Sequence, residues 1–282
     1  MALFLLFCLV QAHAASAQTC DLEPSREGVI ARVIDGETVA LESGETVRLV
    51  GALAPSAPSW WKGETPWRAA ERGKKALEEL VAGKAVRLAT QGRERDRHKR
   101  LLAHMFLAQG DEALWVQGRL VSSGHARAYS LPGSTACLRA LQRLEEEARA
   151  GKLGLWRDPF YQVARASEPG KLMKRRYSYE IVEGRVASVA FLRKWTFLNL
   201  GTDYRSDFTV AIAAGDRRGF APDIETDALE GRRIRVRGWI EFWNGPVIKA
   251  THPEQIELLA ERIEQPEDMP VSPARPGGRQ AQ

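Results

Sequence analysis

The chain has 282 residues, 44% of them apolar and 27% charged, and its 41 Lys and Arg against 36 Asp and Glu leave a net charge of +5. That length and apolar content suit two globular domains and exclude a wholly disordered chain. The N-terminal apolar run, Ala2 to Val10, is far shorter than the roughly 20 residues a membrane-spanning helix needs.

Residues 1–17, "MALFLLFCLVQAHAASA", join that run to small-x-small sites at Ala12-His13-Ala14 and Ala15-Ser16-Ala17. They are expected to be a signal peptide cleaved before Gln18, giving an exported protein, periplasmic or secreted. Cleavage removes Cys8 and leaves Cys20 and Cys137 as the thiols of the mature chain. In an oxidising compartment the pair is expected to be a disulfide; two free buried thiols are the alternative.

From Gly28 to Leu53, "VIARVI", "TVALE" and "TVRLVGAL" are rich in Val, Ile and Thr with near alternation, which predicts three short antiparallel strands. Thr65-Pro66 opens a helix carrying Trp67, Ala70, Leu77, Leu80 and Val81, and Gly83 ends it. "AVRLAT" and "RLLAHMFL" predict a second strand pair joined by the charged "RERDRHK". Seven cations against two acids between Lys84 and Arg100 make this the most basic stretch. Two further helices are expected, around Ala113 to Ser122 and Cys137 to Ala150, with Leu138, Leu141, Leu144 and Ala148 on one face of the second.

The first domain is therefore set at 18–158. Residues 159–178 lose periodicity, carry Pro159, Pro169 and Gly170, and are read as an interdomain linker. Residues 179–261 return to strand patterns, with Asn244-Gly245 as a hairpin turn, and predict a small β-barrel with a short helical segment near Thr226 to Glu230. Residues 262–282 have neither periodicity nor core residues and are expected to be disordered. The fold class is β-rich α+β.

Taken in order, "VIDGETVAL", "VRLVG", "LAPS", "DRHKRLLAHMF", "VSSGHARAY" and "AGKLGLW" resemble the thermonuclease (staphylococcal-nuclease-like) family over residues 28–158. The resemblance implies an OB-type five-stranded barrel with three helices and, in active members, a calcium-dependent endonuclease acting on DNA and RNA. The family's D-G-D-T motif stands here as Asp35-Gly36-Glu37-Thr38, so Glu37 offers the metal an oxygen from one methylene further out. Its G-I-D-A-P-E motif stands as Gly51-Ala52-Leu53-Ala54-Pro55-Ser56. Leu53 thus replaces a metal-binding Asp, and Ser56 replaces the Glu proposed as general base. Calcium wants about 6–8 oxygen ligands, and a general base contributes about 10²- to 10⁴-fold, so hydrolysis is expected to be weak or absent. Glu45, Glu64 and Asp35 are the acids available to substitute.

The cationic half of the implied site is retained. Arg48 and Arg100 match the family's two catalytic arginines, and two guanidinium groups grip a phosphate without metal. Arg97, His98 and Lys99 add positive potential beside them, with His98-Lys99 standing where the family usually has Tyr-Gly. Tyr129 is placed to stack on a base, or equally to sit in the core. The second block resembles the OB-like module that accompanies thermonuclease domains in some bacterial proteins. Alternation in "RRIRVRGWI" puts Ile234 and Val236 inward and Arg233, Arg235, Arg237 and Trp239 outward, as a single-strand-binding face or an ordinary solvated strand. His104, His125 and His252 lack zinc-ligand spacing.

Three functions compete on this reading. The leading one is an exported binder of nucleic acid, single-stranded above all, or of phosphate groups, with a degraded hydrolytic site and no cofactor. The second is an active endonuclease using Glu37, a substitute carboxylate and Ca²⁺. The third is an envelope protein-interaction module.

Overall fold

Alternating apolar residues place Ile30, Val39, Leu41, Val47 and Leu49 in one core and so build β1 (Arg26–Asp35), β2 (Thr38–Leu41) and β3 (Thr46–Leu49). The computed structural model describes residues 20–260 except Ser59, Glu64, Pro66, Gly110, Asp111, Pro132 and 221–225. The expected signal peptide, the expected tail at 262–282, Glu64 and Pro66 lie outside the described residues. Next come β4 (Ala52–Leu53), α1 (Arg68–Val81), β5 (Ala85–Ala89), β6 (Leu101–Gln109), β7 (Glu112–Trp115), α2 (Val116–Ser122), β8 (Arg127–Ala128) and α3 (Leu138–Ala150). Strand order β3-β2-β1-β5-β6-β7 returns on itself because β3 also pairs, in parallel, with β6. Strands β1, β2, β3, β6 and β5 thus form the closed five-stranded barrel that the sequence leads one to expect.

The expected helix from Ala113 begins only at Val116, because residues 112–115 pair with β6 as strand β7. In α1 the buried residues are Ala69, Gly73, Leu77 and Val81, a strict i, i+4 row against the barrel. In α3 the buried face holds Leu138, Leu141, Glu145 and Ala148. Glu145, not Leu144, is the fully buried member of that turn, and a charge at an apolar position needs a partner. Cys20 and Cys137 form the expected disulfide, with Cα atoms 5.1 Å apart. It fastens the start of the described chain to the head of α3.

Residues 159–178 carry more structure than their lost periodicity implies. β9 (Ala164–Arg165) pairs in parallel with β10 (Tyr179–Arg185), and α4 (Pro169–Lys174) buries Leu172 in the C-terminal core. The rest of that domain is β11 (Ser188–Phe191), β12 (Trp195–Asn199), β13 (Thr209–Ala213), α5 (Arg217–Phe220), β14 (Arg233–Trp243), β15 (Gly245–Ala250) and β16 (Ile256–Leu258). Asn244 makes the β14–β15 turn at φ 65°, a conformation Asn tolerates better than most residues. The strands pair in the order β11-β12-β13-β15-β14-β10-β9, and β16 joins β14. Only residues 186 and 187 separate β10 from β11, so the two ends of the β11-to-β10 path are neighbours in the chain. Ile234, Val236, Ile240, Val210, Ile212 and Phe208 form the core packed on this sheet. Among the described residues no helix is long and apolar enough to cross a membrane.

Candidate nucleic-acid interface

Two glycines let α1 close on the turn after β1. A Cβ on Gly36 would lie 2.8 Å from the Cβ of Ala54 and 3.1 Å from the backbone of Gly73, and one on Gly73 would meet Pro55 at 3.2 Å. This close approach holds the 35–38 turn, the 53–57 segment and the first turn of α1 around one basin of about 450 Å³. Its walls include Asp35, Glu37, Arg48, Leu53, Ser56 and Glu71.

Glu37 is committed on both carboxylate oxygens. Oε1 lies 3.0 Å from Nη2 of Arg48, and Oε2 accepts the backbone N–H of Ala54 at 3.0 Å. Burial pushes the Glu37 carboxyl above its ordinary value, although Arg48 and the Ala54 amide pull the other way. Leu53 is buried and presents a hydrocarbon wall; Ser56 is exposed. Of the substitute acids, Glu45 is turned away in ion pairs with Arg95 and Arg26, whereas Asp35 remains on the wall. Asp35 also accepts the N–H of Glu37 at 2.8 Å. Sequence reasoning missed Glu71. It stands in the first turn of α1, and the signal available was an acidic helix N-terminus beside the "LAPS" loop.

A second basin, of about 520 Å³, lies on the other side of Arg48. It is lined by Arg48, Arg93, Arg97, His98 and Arg100, against the one carboxylate of Asp96. The parallel β3–β6 pairing sets Arg48 opposite Leu102, which brings the two arginines from distant sequence to one groove. Arg100 is held by Asp96, whose Oδ2 accepts from Nε at 2.7 Å, and its Nη1 reaches the Thr38 hydroxyl at 3.4 Å. Burial pushes the Asp96 carboxyl up, but its hydrogen bonds from Arg100 and His98 hold it below the usual range. Arg97, His98 and Lys99 are exposed on the turn between Asp96 and Arg100, which closes with Lys99 at φ 64°. The tight turn is made, then, with lysine where the resemblance has glycine.

Tyr129 lines the same basin, with the Arg48 guanidinium 5.8 Å from its ring. Burial pushes its phenol up, opposed by Arg48 and by a hydrogen bond from Trp239.

The basic strand of the second domain departs from its expected role. Ile234 and Val236 do point inward, but on the opposite face Arg237 is packed against the first domain and Arg235 and Arg233 are half-buried in ion pairs. Arg237 is fully buried, with Nη1 2.8 Å from the Glu145 carboxylate and Nη2 paired to Glu257. Arg235 binds Glu183 at 2.7 Å and Glu257 at 3.2 Å, and Arg233 approaches Glu183 at 3.8 Å. The charges of Arg235 and Arg237 are thus engaged within the protein and not presented on an open face, whereas Arg233 keeps part of its side chain at the surface. Trp239 does emerge, and it lines both basins.

His104 is buried against the disulfide, its Nδ1 accepting from the Trp115 indole at 3.2 Å. The two sulfurs beside it are bonded to each other and supply no thiolate for a metal.

The staphylococcal nuclease homologue family profile matches residues 46–158. That range includes Arg48, Leu53, Ser56, Arg100 and Tyr129, and leaves Glu37 and the C-terminal domain outside it. The chain is also similar to Protein ParB of Escherichia coli, 30% identical over 164 residues that span 54% of this chain and 86% of that protein.

Proposed function

The chain belongs to the staphylococcal nuclease homologue family, and from that premise we propose that it is a nucleic-acid-binding protein that grips phosphate through Arg48 and Arg100 and hydrolyses phosphodiesters weakly or not at all. The observation that carries this reading is the groove lined by four arginines and a histidine around one already paired carboxylate. Guanidinium groups bind phosphate bidentately and need no metal to do so.

The metal side of the groove supports the second half of the proposal. A calcium ion takes about 6–8 oxygen ligands, and the residues present do not fit that demand. Leu53 offers hydrocarbon, and the oxygens of Glu37 are engaged by Arg48 and the Ala54 amide. The exposed Ser56 hydroxyl is no general base at neutral pH. The C-terminal domain is read as an OB-like barrel, a reading supported by the pairing path whose two ends are joined by a two-residue connection. The disulfide supports export to an oxidising compartment.

A second reading, a working metal-dependent nuclease, gains one specific support, the presence of Glu71 and Asp35 on the wall beside Glu37. One experiment separates the two: titrate labelled DNA strands with the protein over a salt series, with and without Ca²⁺. Salt-sensitive binding without cleavage is expected. Arg48→Ala/Arg100→Ala should reduce the slope of log affinity against log salt by about 0.7 for each phosphate no longer gripped. Calcium-dependent cleavage that disappears in Glu71→Gln and in the double-arginine variant would replace the first reading with the second.

A further inference from the structure

Besides Arg48, the residue shared by the two basins is Trp239, and it comes from the other domain. It lies on β14 on the face that Arg235 and Arg237 turn toward the first domain, at the point where that face runs out from the junction into the groove. Trp239 is 44% exposed, whereas Arg237, two residues earlier, is fully buried. A large aromatic ring left half bare at the rim of a cationic groove forgoes burial that would otherwise stabilise the fold.

The ring is held through Tyr179, and its strand through Arg237. Pairing of β10 with β14 sets Trp239 opposite Tyr179, and their rings meet edge-on with centroids 5.9 Å apart. Tyr179 in turn meets Tyr129 edge-on at 5.4 Å, so an aromatic row from both domains backs onto Arg48. Arg237 then ties the strand to the first domain through Glu145 and through the carbonyl of Ala128, the residue before Tyr129.

We propose that Trp239 is a base-stacking residue of a composite site, and that through it the C-terminal domain makes the groove selective for single-stranded nucleic acid. The proposal rests on the reading that Arg48 and Arg100 hold phosphate. In a duplex the bases are paired and stacked inward, and a base beside a gripped phosphate reaches a side chain outside the helix only by leaving the stack. An unpaired strand presents that base at little cost, and an aromatic face accepts any of the four. The cations and the half-buried Tyr129 come from the first domain and the exposed ring at the rim comes from the second, so the first domain alone lacks that stacking face.

The test compares three labelled ligands: a short DNA strand, the same strand annealed to its complement, and the same strand with its bases removed at the central positions. Wild-type protein is expected to bind the intact strand best. Trp239→Ala should weaken the intact strand about five-fold or more and leave duplex and abasic strand unchanged; Trp239→Phe should retain part of the preference. Thermal melting of both variants near the wild-type value would show that neither substitution acts by unfolding. If Trp239→Ala weakens all three ligands equally, or none, the stacking role is lost while the phosphate reading stands. If the wild-type protein shows no salt-sensitive binding to any of the three, both fall together.

Discussion

Arg48 and Glu37 form an ion pair with Nη2 3.0 Å from Oε1, so the cation that would hold a phosphate is partly neutralised by the acid that would hold a metal. Protonation of Glu37 releases Arg48. Burial raises the pKa of that carboxyl above its ordinary value, which brings the release to higher pH and gives phosphate binding a pH dependence of definite sign. Affinity for a DNA strand should rise as pH falls from 7.5 toward 5. Glu37→Gln should bind about five-fold more tightly at neutral pH, on the order of 1 kcal/mol for relief of one like-charge repulsion at a partly buried site, and should show a flatter pH profile. Anisotropy titrations at fixed ionic strength would check it; identical profiles for the two proteins would sink the idea.

Lys99 sits at φ 64° in the turn between Asp96 and Arg100. A side chain in the left-handed region costs about 1–2 kcal/mol, which glycine avoids. Part of that gain is offset because glycine loses more backbone freedom on folding. Lys99→Gly should therefore stabilise the protein by about 1 kcal/mol in urea unfolding while slightly weakening DNA binding at low salt, since one exposed cation is gone. A loss of stability would mean the turn does not hold this conformation in solution.

The frame of the groove was legible in the sequence through the family resemblance, which matched Arg48 and Arg100 motif by motif; a closed barrel then brings the two motifs together. Period-2 alternation likewise placed Ile234 and Val236 inward. Alternation names a face, however, and says nothing of what covers it. Arg237 is buried because Glu145 arrives from α3, a long-range pairing that β14 does not encode locally. Glu145 did leave a trace, an acid in step with Leu138, Leu141 and Ala148. Glu71 left less: on the outer face of an amphipathic helix it reads as solvated until the fold turns that helix end toward the groove.

The buried ion pair of Arg237 with Glu145 makes the domain junction sensitive to single substitutions. Arg237→Met removes the closest partner of the buried Glu145, leaving it Arg149 at 3.7 Å and the Ala128 amide; breaking a buried pair typically costs about 3–5 kcal/mol, and the remaining partners put the expected loss at the low end. Arg237→Met/Glu145→Leu removes both charges at similar volume and should recover part of that stability, the rest being withheld because Glu257 loses Arg237 and because Arg149 and the Ala128 amide lose Glu145. Urea unfolding of the two single variants and the double variant gives the coupling directly. Additive effects would show that the two side chains act independently, against their 2.8 Å separation.

His104 supplies the acid limit of the first domain. It is buried between Trp115 and the disulfide, and burial lowers its pKa to about 4. The Trp115 indole N–H donates to its Nδ1, which suits the neutral ring. In the unfolded chain the same histidine titrates near its ordinary value of about 6.5. Between these values the unfolded state binds the extra proton, so the contribution of His104 is complete above about pH 6.5 and is lost progressively as pH falls toward 4. A separation of this size corresponds to about 3 kcal/mol over the window. Asp96 and Glu257, whose carboxyls are held below their ordinary values, lose their contributions only at lower pH, which separates the two effects. His104→Gln keeps an acceptor for the indole and carries no titrating group. Its unfolding free energy should fall less steeply from pH 7 to pH 5 than that of the wild-type protein, with a residual slope from His125 and His252, which burial also holds below their ordinary values. Parallel curves for the two proteins across that range would place the acid sensitivity elsewhere.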